Sequence, residues 1–257
     1  EISACLVGSE MCIRDSSLGN LLLAALTNIK NDFGHAVKEL SKILNIKGKV
    51  IPSTNTNVML NAVLEDGEIV RGESQIPKKN KCIDRVFLEP ENVEPMEEAI
   101  DALEDADLIV LGPGSLYTSV ISNLCVKGMS EAILRSKAPK LYISNVMTQP
   151  GETSDYDVMD HIQAIHKHAG SDFIDYVICS NDKYDDKVLE RYRERNAKPV
   201  VMDEHKITDH NIRMITSSNL VEILDDHLVR HNTKVLARLI YDLALEMTST
   251  IQFRPKK

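Results

Sequence analysis

The feature that most constrains this chain is the regular alternation of strand-like and helix-like segments through its middle. Residues 85–88 read as a strand, 95–103 as a helix opened by proline in its first turn, and 108–111 as a buried strand. A helix at 123–136, a strand at 141–143, a helix at 157–169 and a strand at 176–179 follow in order. A helix at 185–194 and a strand at 199–202 continue the rhythm. Strands joined through helices run parallel, and a parallel sheet buries both faces. The expected fold class is therefore α/β, a doubly wound, mostly parallel sheet with helices on both faces.

The flanks add less regular pieces. Leu18, Leu21, Leu22, Ala25, Leu26 and Ile29 fall at helical spacing over 17–30, and because nearly every side is apolar the helix is expected to be buried. A helix at 35–44 and a short strand at 49–51 follow. A hairpin then pairs 59–64 with 69–72 around Asp66-Gly67, where positive φ costs little. A polar segment with Asp203, Glu204 and His205 leads to a last helix over 228–247. With 257 residues, 43% of them hydrophobic, the chain can bury one large core.

Composition excludes several functions. Thirty Lys and Arg against 39 Asp and Glu give a net charge of -9 with no basic run, so no nucleic-acid footprint is expected. Four Phe, seven Tyr and no Trp make a poor base-stacking platform. The longest apolar stretch, residues 21–26, is far short of the roughly 20 residues that span a bilayer. Five scattered cysteines without a CxxC pair fit neither a disulfide framework nor a zinc site, and a cytoplasmic location with reduced thiols is expected.

Ligands in such sheets collect where strands end and helices begin. After the strand at 108–111 come Gly112, Pro113, Gly114, Ser115, Leu116, Tyr117, Thr118 and Ser119. The two glycines allow close backbone approach, and Ser115, Thr118 and Ser119 add hydroxyls beside helix amides, which makes a phosphate cradle. The same residues would serve a plain turn with capping hydroxyls. After the strand at 141–143, Asn145, Thr148 and Gln149 offer groups suited to a base or sugar, and Pro150-Gly151 imposes a turn. The two loops are expected to face one crevice. Asn20, polar beside Leu21, is either a satisfied core amide or a site residue.

Histidine spacing names no metal. His161, His166 and His168 share a helix without a metal-ligand spacing and read as a solvated face, and the group around His205, His210, His227 and His231 fits no template. No catalytic triad can be ordered from the available Ser, Cys and His.

The stretches SLGNLLLAALTNI, IPSTN, GESQI, ADLIVLGPGSLYTSVISNL, SKAPKLYISNVMTQPGETSDYDVMDHIQAIHKHAG and DYVICSN together resemble the bacterial gluconeogenesis factors, in the superfamily of 2-phospho-L-lactate transferase. The pairing of GPGSLYTS with NVMTQPGET is far more specific than a lone glycine motif. The resemblance implies a Rossmann-like core binding a nucleotide or a uridine-diphosphate sugar, in a cytoplasmic regulator of cell shape and of growth on gluconeogenic carbon. Gly112, Pro113, Gly114, Ser115, Thr118 and Ser119 would hold phosphates, Asn145 and Thr148 would lie by the same cleft, and Asn20 becomes a site residue. No resident metal is implied for a regulator. The alternative is a transferase acting on a deazaflavin acceptor, for which magnesium would be needed. Self-association and contact with cell-wall synthesis proteins are further partners the resemblance allows.

The sequence departs from the family at its start. A Gly-Gly-Thr-Gly loop and an Asp-Asp-Gly-Gly segment are absent, and Ser122 stands where proline is usual. Residues 1–16 instead resemble a translated vector or adapter. The expectation is a non-native head at 1–16 and a single CofD-like α/β domain at 17–257, a fragment lacking the amino-terminal glycine-rich half-site and exposing apolar surface on its first helix.

Overall fold

The computed structural model describes residues 12–13, 16–224 and 228–252. Two short strands, β1 (Cys12–Ile13) and β2 (Ser16–Ser17), pair antiparallel. The expectation of a non-native head at 1–16 falls largely outside the described residues. Helix α1 (Leu18–Lys30) follows, then α2 (Phe33–Ile43), whose Asp32 cap accepts from the His35 amide at 2.6 Å.

The prediction that α1 is buried is corrected. Gly19 and Leu23 are buried, while Leu21, Leu22 and Ile29 are exposed. Leu23 joins Ala36, Val37 and Leu40 of α2 in a satellite cluster, which covers one side of α1. An all-apolar pattern states that a helix can be buried; neighbours decide how much of it is. The strand expected at 49–51 is also absent: those residues pair with no strand, and Val50 and Ile51 pack at the edges of two separate clusters.

Strand β3 (Met59–Leu64) forms the expected hairpin with β4 (Ile69–Arg71), with Gly67 at φ 84°. β3 also pairs antiparallel with β5 (Ile83–Glu89), giving a three-stranded sheet in the order β4-β3-β5. Two 3-10 turns, Glu73–Gln75 and Pro77–Lys79, link β4 to β5. Helix α3 (Glu97–Glu104) leads into β6 (Ile109–Leu111).

The helix predicted at 123–136 is divided and starts earlier. Six residues, Leu116–Ile121, form a π-helical segment that runs into α4 (Ser122–Leu124). The chain then breaks before α5 (Met129–Arg135), which Gly128 opens at φ 82°. The apolar period alone does not reveal a wide turn or a left-handed glycine.

Strand β7 (Lys140–Ile143), helix α6 (Val158–Ala169), strand β8 (Tyr176–Ser180), helix α7 (Asp186–Glu194), helix α8 (Glu204–Asp209) and strand β9 (Arg213–Ser217) complete the αβ rhythm. β6, β7, β8 and β9 lie in that order and all run parallel. Residues 199–202 do not form the expected strand; Pro199 makes only an isolated bridge to Met147. The fourth strand is β9, whose Arg213, Met214 and Thr216 gave no apolar run.

A hairpin of β10 (Val221–Ile223) and β11 (Val229–His231) precedes α9 (Thr233–Gln252), so the last helix starts five residues later than predicted. The parallel sheet is covered on both faces. Tyr142, Val177 and Cys179 point into the main core with Ile162 and Ile165 of α6. Leu141, Ile143 and Ile178 face Leu236 and Leu243 of α9. Alternate residues of a strand face opposite sides, which is why one chain segment feeds two cores.

The histidines of α6 are not a solvated face. His161 and His166 are buried and His168 is half-buried. His168 Nε2 accepts from the Val86 amide at 3.0 Å, and His166 Nε2 accepts from the Phe173 and Ile174 amides, both at 3.2 Å. These bonds need a neutral ring, and burial holds all three imidazoles below their ordinary range. α6 thereby fastens the parallel sheet to β5.

Candidate functional site

The two loops singled out in the sequence leave the carboxyl ends of adjacent parallel strands, β6 and β7, and hydrogen bonds join them. Gly112 has φ 91°, and a Cβ there would sit 3.2 Å from the Ile143 carbonyl oxygen, so the first loop passes close to the end of β7. Gly114 is equally tight: a Cβ would lie 3.0 Å from the Ser119 Cβ. The loop folds back on the helix it opens.

Ser115 sits at that helix start in extended conformation, and its carbonyl accepts from the Ser119 amide at 3.0 Å and the Val120 amide at 3.1 Å. The second of these bonds spans five residues and gives the π turn its width. Such turns often mark functional positions. Asn145 Nδ2 donates to the Gly114 carbonyl at 3.1 Å, and Gln149 Nε2 donates to the Ser115 hydroxyl at 2.8 Å. The buried Tyr142 hydroxyl donates to Asn145 Oδ1 at 3.3 Å, and burial raises its pKa, so it stays a donor.

Glu152 adds a carboxyl at the same helix start. It is 6% exposed, it lies near the Tyr117 backbone amide, and among the described residues its Oε2 has no hydrogen-bond partner. Burial pushes its pKa up to about 7. The turn that presents Glu152 is pinned from behind: Gly151 has φ 79°, and a Cβ there would meet the Pro77 carbonyl oxygen at 2.2 Å.

The remaining predicted residues take different places. Thr148 is buried, its hydroxyl accepts from the Lys198 amide at 3.0 Å, and its own amide donates to the Lys198 carbonyl at 2.8 Å. The Ser119 carbonyl accepts from Asn123 Nδ2 at 2.6 Å, and the Thr118 carbonyl accepts from the Ser122 hydroxyl at 2.9 Å. Pro113 is exposed at the loop tip, and Asn20 is an exposed residue of α1. The structure thus brings Gly114, Ser115 and Asn145 into direct contact and uses Thr148 to anchor the second loop.

Several residues at the site carried no signal strong enough to single out. Glu152 sits inside the quoted NVMTQPGET stretch, where nothing in the spacing separates a buried acid from a turn residue. Ser53 of IPSTN donates to Asn123 Oδ1, which brings a distant segment to α4, just past the end of the π-helical segment. Asp182 and Ser180 lie at the end of β8 within DYVICSN and its next residue. A cavity of about 60 Å³ at the ends of β7 and β8 is lined by Ser144, Asn145, Ser180, Asp182 and Tyr184 among others.

The site is rich in neutral donors and acceptors and places one carboxyl, Glu152, at the helix start. Among the described residues no group of three or more His, Cys, Asp or Glu is placed to hold a metal ion, and no helix is long and apolar enough to cross a membrane.

The family 2-phospho-L-lactate transferase CofD matches residues 9–220. The Gluconeogenesis factor of Bacillus subtilis is 45% identical over 230 residues, which are 90% of this chain and 72% of that protein. The Gluconeogenesis factor of Halalkalibacterium halodurans is 45% identical over 236 residues, covering 92% of this chain and 73% of that protein. A crystal structure of a Bacillus halodurans protein superposes with a TM-score of 0.84 at 46% identity, over 88% of this chain and 72% of that one.

Proposed function

This chain belongs to the 2-phospho-L-lactate transferase CofD family, and from its likeness to the gluconeogenesis factors we propose that it is a cytoplasmic regulator that binds a nucleotide sugar of the uridine-diphosphate class. The ligand's phosphates lie against Gly112, Pro113, Gly114, Ser115, Thr118 and Ser119, with Asn145 beside them and Thr148 holding the second loop in place. Asn20 contributes from α1. Cell shape and growth on gluconeogenic carbon are the processes it serves.

The observation that supports this most is the direct coupling of the two loops, through Asn145 to Gly114 and Gln149 to Ser115, at the carboxyl ends of adjacent parallel strands. Hydroxyls, amides and a helix start can hold a phosphate without a basic side chain. Titration calorimetry of the protein against uridine diphosphate and its sugars tests the reading. Saturable heat with a uridine-diphosphate sugar is expected, and no heat with any nucleotide overturns it.

A second reading is a transferase of the 2-phospho-L-lactate type, with a deazaflavin as the proposed acceptor. The described residues do not bring together a metal-ligating trio, so no magnesium-dependent step is assigned to them. Turnover of a deazaflavin acceptor with a nucleotide-activated phospholactate, lost on chelation, would favour it.

A further inference from the structure

The cavity at the ends of β7 and β8 has a different chemistry from the phosphate loops, although Asn145 borders both. Its distinctive group is Asp182, two residues beyond the end of β8. The Ser180 hydroxyl donates to Asp182 Oδ2 at 2.8 Å, and the Val221 amide of β10 donates to the same oxygen at 3.1 Å. The Asp182 amide in turn donates to the Ser180 hydroxyl oxygen at 3.1 Å. These bonds fix the carboxylate and occupy one of its oxygens. Among the described residues, Oδ1 accepts no hydrogen bond.

The wall is completed by Tyr184. The β10–β11 hairpin holds the arrangement from above: His231 Nε2 donates to the Ser144 carbonyl at 3.2 Å, and the Val229 amide donates to the Tyr192 hydroxyl at 2.9 Å. A cavity of about 60 Å³ has room for a few waters or for the hydroxylated edge of a ring.

An ionised carboxylate accepts hydrogen bonds and donates none, so it repels phosphate and selects groups rich in O–H. Oδ1 alone still has two acceptor positions, enough for two neighbouring hydroxyls on one ring, and an acidic residue beyond a strand end plays this part for ribose in dinucleotide-binding sheets. We infer that Asp182, fixed by Ser180 and the Val221 amide, forms a subsite for a vicinal diol of the bound ligand, next to the phosphate loops. The inference rests on the nucleotide-sugar reading and deepens it. It orients the ligand, with phosphates toward Gly114 and Ser115 and the diol toward Asp182.

The diol belongs either to the ribose or to the attached sugar, and binding measurements separate the two. Uridine diphosphate, its 2′,3′-dideoxy analogue and uridine-diphosphate glucose are titrated against the wild-type protein, Asp182→Asn and Ser180→Ala. A ribose diol at Asp182 makes the dideoxy analogue bind about tenfold or more weakly than uridine diphosphate, with most of that difference lost in Asp182→Asn. A sugar diol leaves the dideoxy analogue unaffected but makes uridine-diphosphate glucose bind about tenfold more tightly than uridine diphosphate, again lost in Asp182→Asn. Ser180→Ala shrinks the discrimination with the carboxylate retained, which guards against misfolding of the first variant. Binding of all three ligands with equal affinity by the wild type overturns the diol subsite and leaves the phosphate loops standing. No binding of any of them overturns the nucleotide reading and the subsite with it.

Discussion

The Gln149 side-chain amide donates to the Ser115 hydroxyl across 2.8 Å, so with Asn145 it ties the loop after β7 to the loop after β6. Removing it in Gln149→Ala is expected to cost about 1 kcal/mol of stability, the usual contribution of a half-buried hydrogen bond. Urea unfolding should show a lower midpoint with an unchanged slope. An unchanged midpoint would mean that Asn145 and the backbones position the two loops without Gln149.

The phosphate assignment predicts that Ser115→Ala combined with Thr118→Ala weakens nucleotide binding. Each hydrogen bond to a charged group contributes roughly 1.5 to 3 kcal/mol, so a loss of at least tenfold in affinity is expected by calorimetry. Equal affinity in the double variant removes these hydroxyls from the site.

Glu152 makes stability depend on pH in a known direction. Its carboxyl rises from an ordinary 4.5 to about 7 because burial disfavours the charged form. Between those values the folded protein keeps a proton that the unfolded chain has released, so stability falls as pH rises from 4.5 to about 7 and then levels off. The whole window corresponds to about 3 kcal/mol. Glu152→Gln keeps the shape and loses the titration, so its stability measured by urea unfolding at pH 5.5 and pH 8 should change less than that of the wild type. The same pH slope in both proteins would place its cause elsewhere.

Gly151 and Gly67 share a left-handed backbone, at φ 79° and 84°, yet differ in surroundings. A Cβ at Gly67 meets nothing within 4 Å, whereas one at Gly151 would overlap the Pro77 carbonyl. Gly67→Ala should cost about 1 kcal/mol through backbone conformation alone. Gly151→Ala adds a steric clash and should cost about 2 kcal/mol or more beyond that. Thermal melts of the two variants side by side make the comparison, and equal losses would show that the Pro77 contact yields freely.

Much of the fold was legible because its strongest elements report themselves locally. The runs at β6, β7 and β8 are apolar and short, α6 carries its own capping box at Asp157 and Asp160, and Asp66-Gly67 marks its turn. β9 was missed because Arg213, Met214 and Thr216 form no apolar run; it is a strand because β8 offers it an edge. The helix at 116–135 was misdrawn because its π turn and the break at Gly128 depend on where Ser115 and its neighbours are held.

The chain by itself determined which residues end the strands, and so where a ligand-holding loop can lie, because strand ends and glycine-rich turns follow from local spacing and backbone freedom. The tertiary structure alone decided which of those groups are still free to act. Thr148 turned toward Lys198, Gln149 went to Ser115, and Asp182 was fixed by a hairpin nearly 40 residues further on, at Val221. A hydrogen-bonding group has many candidate partners along a sequence and very few once burial removes water, so its partner is set by packing and cannot be read from composition or period.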